Sequence, residues 1–489
     1  MSSTTQEARS VRSLIPARMD RLPWTRFHWT VVVGLGTAWI LDGLEVQIVA
    51  ANAFAKQLDM SAFEVTLTAT FYLFGQVVGA LVFGRLSDRL GRKRFFILTL
   101  AIYLVGSGIS GFAFAPWFLY LFRFVAGMGI GGEYTAINSA IDEIIPSRYR
   151  GRIDIAINGT YWGGALIGNA AYLFLLNQPA LDESGWGWRI GFFVGPLLGL
   201  IIIFLRRHVP ESPRWQITHG HERDAEANVD RIEREVADEA GTALEPVPDS
   251  KAIEIPVHDR VPFGVIAHTL FKRYPKRTLV AFSMMVTQSF LYNAIFFTYA
   301  TVLTTFYRIP TEQIPLFFFP FALGNLAGPL ILGPLFDTIG RKQMIFATYG
   351  IAALVLGVSG ALFSAGALGA VSQTVLWCVC FFFASAGASS AYLTVSETFP
   401  LQLRGQAISY FFAIAQIAGA IAPAVFGLLI GDGKSRGPLA GGYYFGAGMM
   451  LVGGVIALVF GVRAERQSLE DISDVDFIDK ARREAPART

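Results

Sequence analysis

Twelve stretches of roughly 20 mainly apolar residues run through this chain, and that length is what a helix needs to cross the hydrocarbon of a bilayer. They cover 29–54, 63–83, 95–115, 117–141, 153–176 and 188–205, then 278–307, 314–336, 344–363, 371–394, 407–430 and 441–460. Composition agrees. The chain is 53% hydrophobic and only 16% charged, with a mean hydropathy of +0.47, whereas soluble domains run near about 25% charged. A soluble enzyme is therefore excluded. Abundant glycine (50) and phenylalanine (41) suit helices packed closely in lipid. The net charge of +3 implies no nucleic-acid partner. Cys378 and Cys380 fall inside an apolar run and read as packing residues rather than a disulfide framework.

Charge between the stretches orients them. Arg9, Arg12, Arg18, Arg21 and Arg26 precede the first, Arg85 to Arg94 fill the second connection, Arg148, Arg150 and Arg152 the fourth, and Arg341 and Lys342 the eighth. Alternate connections are poor in cations, so the positive-inside bias puts both termini in the cytoplasm of a multi-pass cell-membrane protein. The expected division is a cytoplasmic tail (1–28), a six-helix bundle (29–205), a cytoplasmic central loop (206–276), a second six-helix bundle (277–462) and a cytoplasmic tail (463–489). The first apolar stretch is too long for a signal-peptide core and reads as a retained span. Within the central loop, HERDAEANVDRIEREVADEAG has helical spacing and mixed charge, which fits short helices against the membrane face or a solvated linker.

Two patterns occur twice. GRLSDRLGRK from Gly84 matches GPLFDTIGRK from Gly333, and EIIPSRYRG from Glu143 matches ETFPLQLRG from Glu397. Each pair falls in corresponding connections of the two halves, so the chain is a duplication with the same topology. On these motifs the sequence resembles the major facilitator superfamily, and PESPRW from Pro210 places it near the sugar-porter and metabolite:proton symporter branch. LEDI from Leu469 is a shorter echo of the same branch. The resemblance implies an all-α integral membrane fold of twelve helices in two six-helix pseudo-repeat bundles, rocking about a central cavity. It also implies a cytoplasmic gate formed by Asp88, Gly91, Arg92, Glu143, Arg150, Asp337, Arg341, Glu397 and Arg404. Such pairs must break during transport, so modest net stability suits them; charges that only set topology are the alternative.

Ionisable groups inside a span cost about 2.5–3.5 kcal/mol at a helix centre, which makes each a functional candidate. Asp42 and Glu45 sit in AWILDGLEVQ, three residues apart and about 60° apart around a helix. Two carboxylates so close in low dielectric do not both ionise comfortably, so one holds a proton near neutral pH, unless it reaches water at the helix end. Arg123 is the natural partner, working by exchange of partners because it keeps its proton. The resemblance points the same way, with Glu45 at the span 1 carboxylate of proton-coupled sugar porters and Arg123 at their span 4 arginine. Asp42 departs from that pattern and is similar to the D-G-x-[DE] of organic-acid and other metabolite symporters. Glu133, about 15 Å further along the Arg123 helix, faces either the cavity or the bundle. All six histidines lie outside the spans, which leaves the proton to carboxylates.

The second half holds neutral hydrogen-bonding groups instead. TQSFLYNAIFFTY keeps Gln288 and Asn293 of a sugar-porter pattern, with Leu291 where that pattern has glycine. Asn158, Tyr392 and Gln416 complete the substrate-binding candidates, helix-to-helix hydrogen bonding being the alternative for each. GMGIGG, from Gly127, matches a dinucleotide fingerprint formally but lies within one apolar span, where Gly127 and Gly131 form a G-x-x-x-G packing surface. GKS from Gly433 lacks the earlier glycine of a P-loop. No cofactor, metal site or catalytic constellation is expected. The reading is a secondary active transporter, not an enzyme, coupling proton entry to uptake of a sugar, polyol or small organic or aromatic acid. It works as a monomer in the bilayer. A uniporter or exporter of the same fold, or a non-transporting nutrient sensor, is the alternative.

Overall fold

The computed structural model describes residues 10–50, 54–90, 92–176, 178, 181, 184–206, 211–256, 263–399 and 401–462. Twelve long helices carry the apolar stretches. The first six are α1 (Arg26–Ala50), α2 (Ala62–Leu90), α3 (Arg92–Ser110), α4 (Pro116–Ile144), α5 (Ser147–Leu176) and α6 (Trp186–Arg206). The second six are α7 (Pro275–Tyr307), α8 (Ile314–Thr338), α9 (Arg341–Ser364), α10 (Ala370–Thr398), α11 (Leu401–Ile430) and α12 (Gly437–Phe460). Among the described residues, eight of them are long and apolar enough to cross a membrane. Several helices run past the apolar stretch at the end nearer the termini, as α2 does to Leu90, because a helix satisfies its own backbone wherever it lies.

The two sixes pack alike. Within the first, α1 lies on α5, α2 on α4, and α3 on α6; within the second, α7 lies on α11, α8 on α10, and α9 on α12. Between them, α2 meets α11 and α5 meets α8, the same pairing exchanged between halves. The fold is therefore two six-helix bundles related by pseudo-twofold repetition. At the end far from the termini the bundles touch closely: a Cβ on Gly427 of α11 would come 2.2 Å from Thr66 Oγ1 of α2.

Glycines set the tightest helix pair. On α4, a Cβ at Gly127 or Gly131 would lie 2.0 Å from the carbonyl oxygens of Tyr72 and Gln76 on α2. Reciprocally, a Cβ at Gly75 or Gly79 of α2 would lie 2.1 or 2.0 Å from the carbonyls of Phe124 and Met128. Both helices thus present G-x-x-x-G, and only hydrogen at these positions lets the backbones meet. GMGIGG is wholly helical, with no turn for a phosphate.

Before α1 and between α6 and α7 the chain folds into a small strap. Strand β1 (Ser10–Ser13) pairs antiparallel with β2 (Ile253–Pro256). A short helix, Ile15–Asp20, rests on the helix Glu222–Ala240, whose Ala225, Val229, Ile232 and Val236 form one buried stripe against Ile15, Met19 and Leu22. Gly241, at φ +63°, ends the longer helix in the left-handed region. Arg18 sits among three carboxylates, at 2.6 Å from Glu226, 2.5 Å from Asp230 and 2.6 Å from Glu233. Arg21 reaches Glu233 as well, at 2.6 Å. Hydrogen bonding to Glu233 leads in raising Arg18 above the ordinary arginine range. Burial pushes Glu233 up, yet hydrogen bonds from Arg18 and Arg21 outweigh it and hold the carboxyl below its usual range.

Two outcomes follow. Gly131→Ala places its methyl against the Gln76 carbonyl and should lower stability by about 1–3 kcal/mol, as overpacking does. Gly163→Ala, with nothing within 4 Å of the new methyl, should be neutral or stabilising; melting temperatures in detergent compare the two. Because the folded Glu233 pKa is depressed, its contribution is present above the ordinary glutamate value of 4.5 and is lost as pH falls through the folded value. Protection from hydrogen exchange over Glu222–Ala240, corrected for the intrinsic pH dependence of exchange, should therefore fall below about pH 4.5, and Arg18→Ala, which leaves Arg21 on Glu233, should weaken that dependence.

Candidate functional site

Arg123, like Glu45, is fully buried, at 0% exposure. The α2–α4 glycine contact positions it. Gly127 fixes the height of Tyr72, and Arg123, one turn earlier on α4, lies over that ring with Cζ 4.2 Å from its centroid. The Phe192 ring of α6 is also near, its centroid 5.7 Å from Cζ. The guanidinium donates through Nη1 to Glu45 Oε1 of α1. Both members are fully buried. Breaking such a pair by removing one partner strands the other charge, at about 3–5 kcal/mol.

The second carboxylate of α1 takes a different partner. Asp42 Oδ1 accepts the Tyr72 hydroxyl at 2.5 Å and is itself 2% exposed. Asp42 and Glu45 thus share one helix face but not one partner, and Tyr72 stands between them, its hydroxyl on Asp42 and its ring under Arg123. Tyr103 of α3 donates to the Leu41 carbonyl at 3.2 Å, alongside the same turn. The second oxygen of Glu45 has no hydrogen-bond partner among the described residues and lies toward Gly195 and Ser107. Glu133 is buried in the same helix as Arg123, about 15 Å further along, and so belongs to a separate level.

A line of amides crosses between bundles nearby. Gln416 of α11 donates through Nε2 to Gln76 Oε1 of α2 at 2.5 Å, and its own Oε1 accepts from Ser289 Oγ of α7 at 2.7 Å. Asn293 donates back to the Ser289 carbonyl at 2.8 Å. Gln288, 8% exposed, keeps an amide oxygen with no partner among the described residues. Between α5 and the second bundle, Trp162 meets Tyr292, Phe296 and Phe321 edge-on at 6.0–6.4 Å, and Tyr292 lies 5.1 Å from Phe381.

Of the residues singled out in the sequence, the structure joins Glu45 with Arg123, sets Asp42 one residue away through Tyr72, and puts Asn293 and Gln416 on a common serine. Arg341 is buried at the first turn of α9. The side chains of Asp88, Arg92, Glu143, Arg150, Asn158, Asp337, Tyr392, Glu397 and Arg404 lie outside the described residues, as does Gly91 altogether. Sequence reasoning missed Tyr72, Gln76 and Ser289. The G-x-x-x-G of Gly75 and Gly79 was the available signal, since it matches that of α4 and makes Tyr72 and Gln76 the facing residues.

Comparison with known proteins follows from this geometry. The model of a family described as "Sugar (and other) transporter" matches residues 25–475. The chain is 27% identical to the niacin transporter NiaP of Acinetobacter baylyi over 414 residues, covering 84% of this chain and 89% of that one. It is 29% identical to the putative metabolite transport protein YdjK of Escherichia coli over 483 residues, 94% and 96% of the two chains. The fold superposes on the proton:xylose symporter XylE, bound to 6-bromo-6-deoxy-D-glucose, with a TM-score of 0.71 at 16% identity, covering 91% and 98%.

The amide line makes a prediction. Gln76→Leu or Gln416→Leu alone leaves a buried amide unpaired, at about 1–3 kcal/mol. The double variant removes both, so its loss of stability should fall short of the sum of the singles by about 0.5–1.5 kcal/mol in thermal denaturation.

Proposed function

Because the chain belongs to the sugar (and other) transporter family, we propose that this multi-pass membrane transporter is a proton-coupled symporter taking up a small polar metabolite by alternating access. The single observation that carries this reading is the Arg123–Glu45 pair, two opposite charges buried in the apolar interior of the first bundle. A proton arriving at Glu45 neutralises the carboxylate and frees the guanidinium, whose remaining Nε and Nη2 donors are buried with no partner among the described residues. The two states differ in which bundle contacts Arg123 supports, and that difference is what a coupled carrier needs. Asp42 and Glu133 are the other carboxylates proposed to serve the proton.

The substrate proposed is a sugar, polyol or small organic or aromatic acid. Amides at Gln288, Asn293 and Gln416 suit hydroxyls or a ring heteroatom. The rings of Trp162, Tyr292, Phe296, Phe321 and Phe381 favour a ring-bearing solute. Relatives named for niacin and for xylose bracket the same range. The charge bias of the connections supports cytoplasmic termini and a cytoplasmic central loop, 206–276, between two bundles at 29–205 and 277–462. The repeated motifs, Asp88, Gly91, Arg92, Glu143 and Arg150 with Asp337, Arg341, Glu397 and Arg404, are proposed as the gate on that side.

The test is uptake into proteoliposomes under an imposed inward proton gradient, screened with nicotinate, D-xylose, polyols and aromatic acids. Glu45→Gln should abolish gradient-driven accumulation, more than about tenfold, while retaining exchange of substrate across the membrane at equal pH. Undiminished accumulation in Glu45→Gln contradicts the coupling assignment. Transport of no solute by folded protein favours the sensor reading.

A further inference from the structure

Tyr72 carries two contacts that belong to different chemistry. Its hydroxyl, 1% exposed with the rest of the residue, donates to Asp42 at 2.5 Å. Its ring face lies 4.2 Å from the guanidinium carbon of Arg123, which donates to Glu45. A phenol has only two soft torsions, so an anchor at the hydroxyl also fixes the plane of the ring. The arginine thus rests on that plane, with the Phe192 ring centroid 5.7 Å from its Cζ.

We propose that Tyr72 is a positioning residue for the Arg123–Glu45 pair, anchored in place by Asp42. This gives the two carboxylates of α1 different partners: Glu45 pairs with the arginine, and Asp42, in addition to its proposed service to the proton, holds the tyrosine that aims it. The inference rests on the proton-coupling reading of Glu45. It adds a residue and a role that the charge pattern does not indicate, since a tyrosine in a span carries no charge to notice.

The surrounding groups are compatible with such a role. Tyr72 touches Asp42 of α1 through its hydroxyl and Arg123 of α4 through its ring, and Arg123 brings Glu45 to the same group. Tyr103 of α3 donates to the Leu41 carbonyl beside Asp42, and Tyr161 of α5 packs edge-on against Trp39 of α1. The only cation in this set is Arg123. An ionised Glu45 therefore depends on how well that one guanidinium is aimed, and a loss of aim makes the carboxylate easier to protonate.

The experiment is an infrared pH titration of carboxylic-acid signals in the purified full-length protein, with Glu45→Gln used to identify the Glu45 band. Tyr72→Phe keeps the ring under Arg123 and removes only the anchor. It should move the midpoint of the Glu45 band to higher pH by about 1 unit, the low end of what a neighbouring opposite charge contributes. In an Asp42→Leu background the anchor is already gone, so adding Tyr72→Phe should move the midpoint no further. Asp42→Ala serves the same purpose should the leucine variant fail to fold. An unmoved midpoint in Tyr72→Phe overturns the inference, and so does an equal shift with and without Asp42. If Glu45→Gln removes no titrating band, the coupling reading itself fails and this inference falls with it. A band that is present but indifferent to Tyr72→Phe sinks the inference alone.

Discussion

A guanidinium and a carboxylate buried together in an apolar bundle are tolerable only as a pair. Arg123 and Glu45 are both shut off from solvent, and the desolvation each has undergone is offset by the other. Much of the first bundle can be read as the apparatus that keeps them together. Glycines on both α2 and α4 bring two backbones into contact, which sets Tyr72 beneath the arginine. Phe192 of α6 adds a second ring near the guanidinium. Remove the close approach, and the arginine loses its height relative to α1.

The second bundle is built differently, although it repeats the first in helix order and packing. Where the first bundle has charge, the second has serine, asparagine and glutamine, and these reach across to the first through Gln416 and Gln76. A hydrogen bond between neutral amides contributes about 0.5–1.5 kcal/mol, small enough to be exchanged during a cycle. The ion pair, by contrast, is costly to break without a proton. In the proposed reading, one half responds to protons and the other to a polar solute, and α2 belongs to both since it carries Tyr72 on one level and Gln76 one turn along.

The twelve helices and the duplication were legible because each rests on a long signal: some twenty apolar residues, or a decamer repeated at a matching place. Arg123 and Glu45 were legible because charge in an apolar run stands out. Tyr72 and Gln76 were not, since tyrosine and glutamine look the same in a span whether they bond within a bundle or serve a site. Only the crossing of α2 on α4 sets Tyr72 under the arginine and Gln76 against Gly131, and it depends on a glycine pair whose partner lies on another helix. The strap at the chain's start was equally hidden. SVRS and IEIP are each four residues with no period to read, and they meet only through distant pairing. Helical spacing over Glu222–Ala240 showed in the sequence, but not that it would form one helix or what that helix would cover.

Proton movement accompanying solute movement is the most direct measure of the central claim. Proteoliposomes with no imposed gradient, holding a pH indicator inside, would receive a transported solute from outside. If the buried pair couples the two, solute entry acidifies the lumen, about one proton per molecule, and the signal vanishes in Glu45→Gln. Solute entry at an undiminished rate with no change in luminal pH would contradict the account.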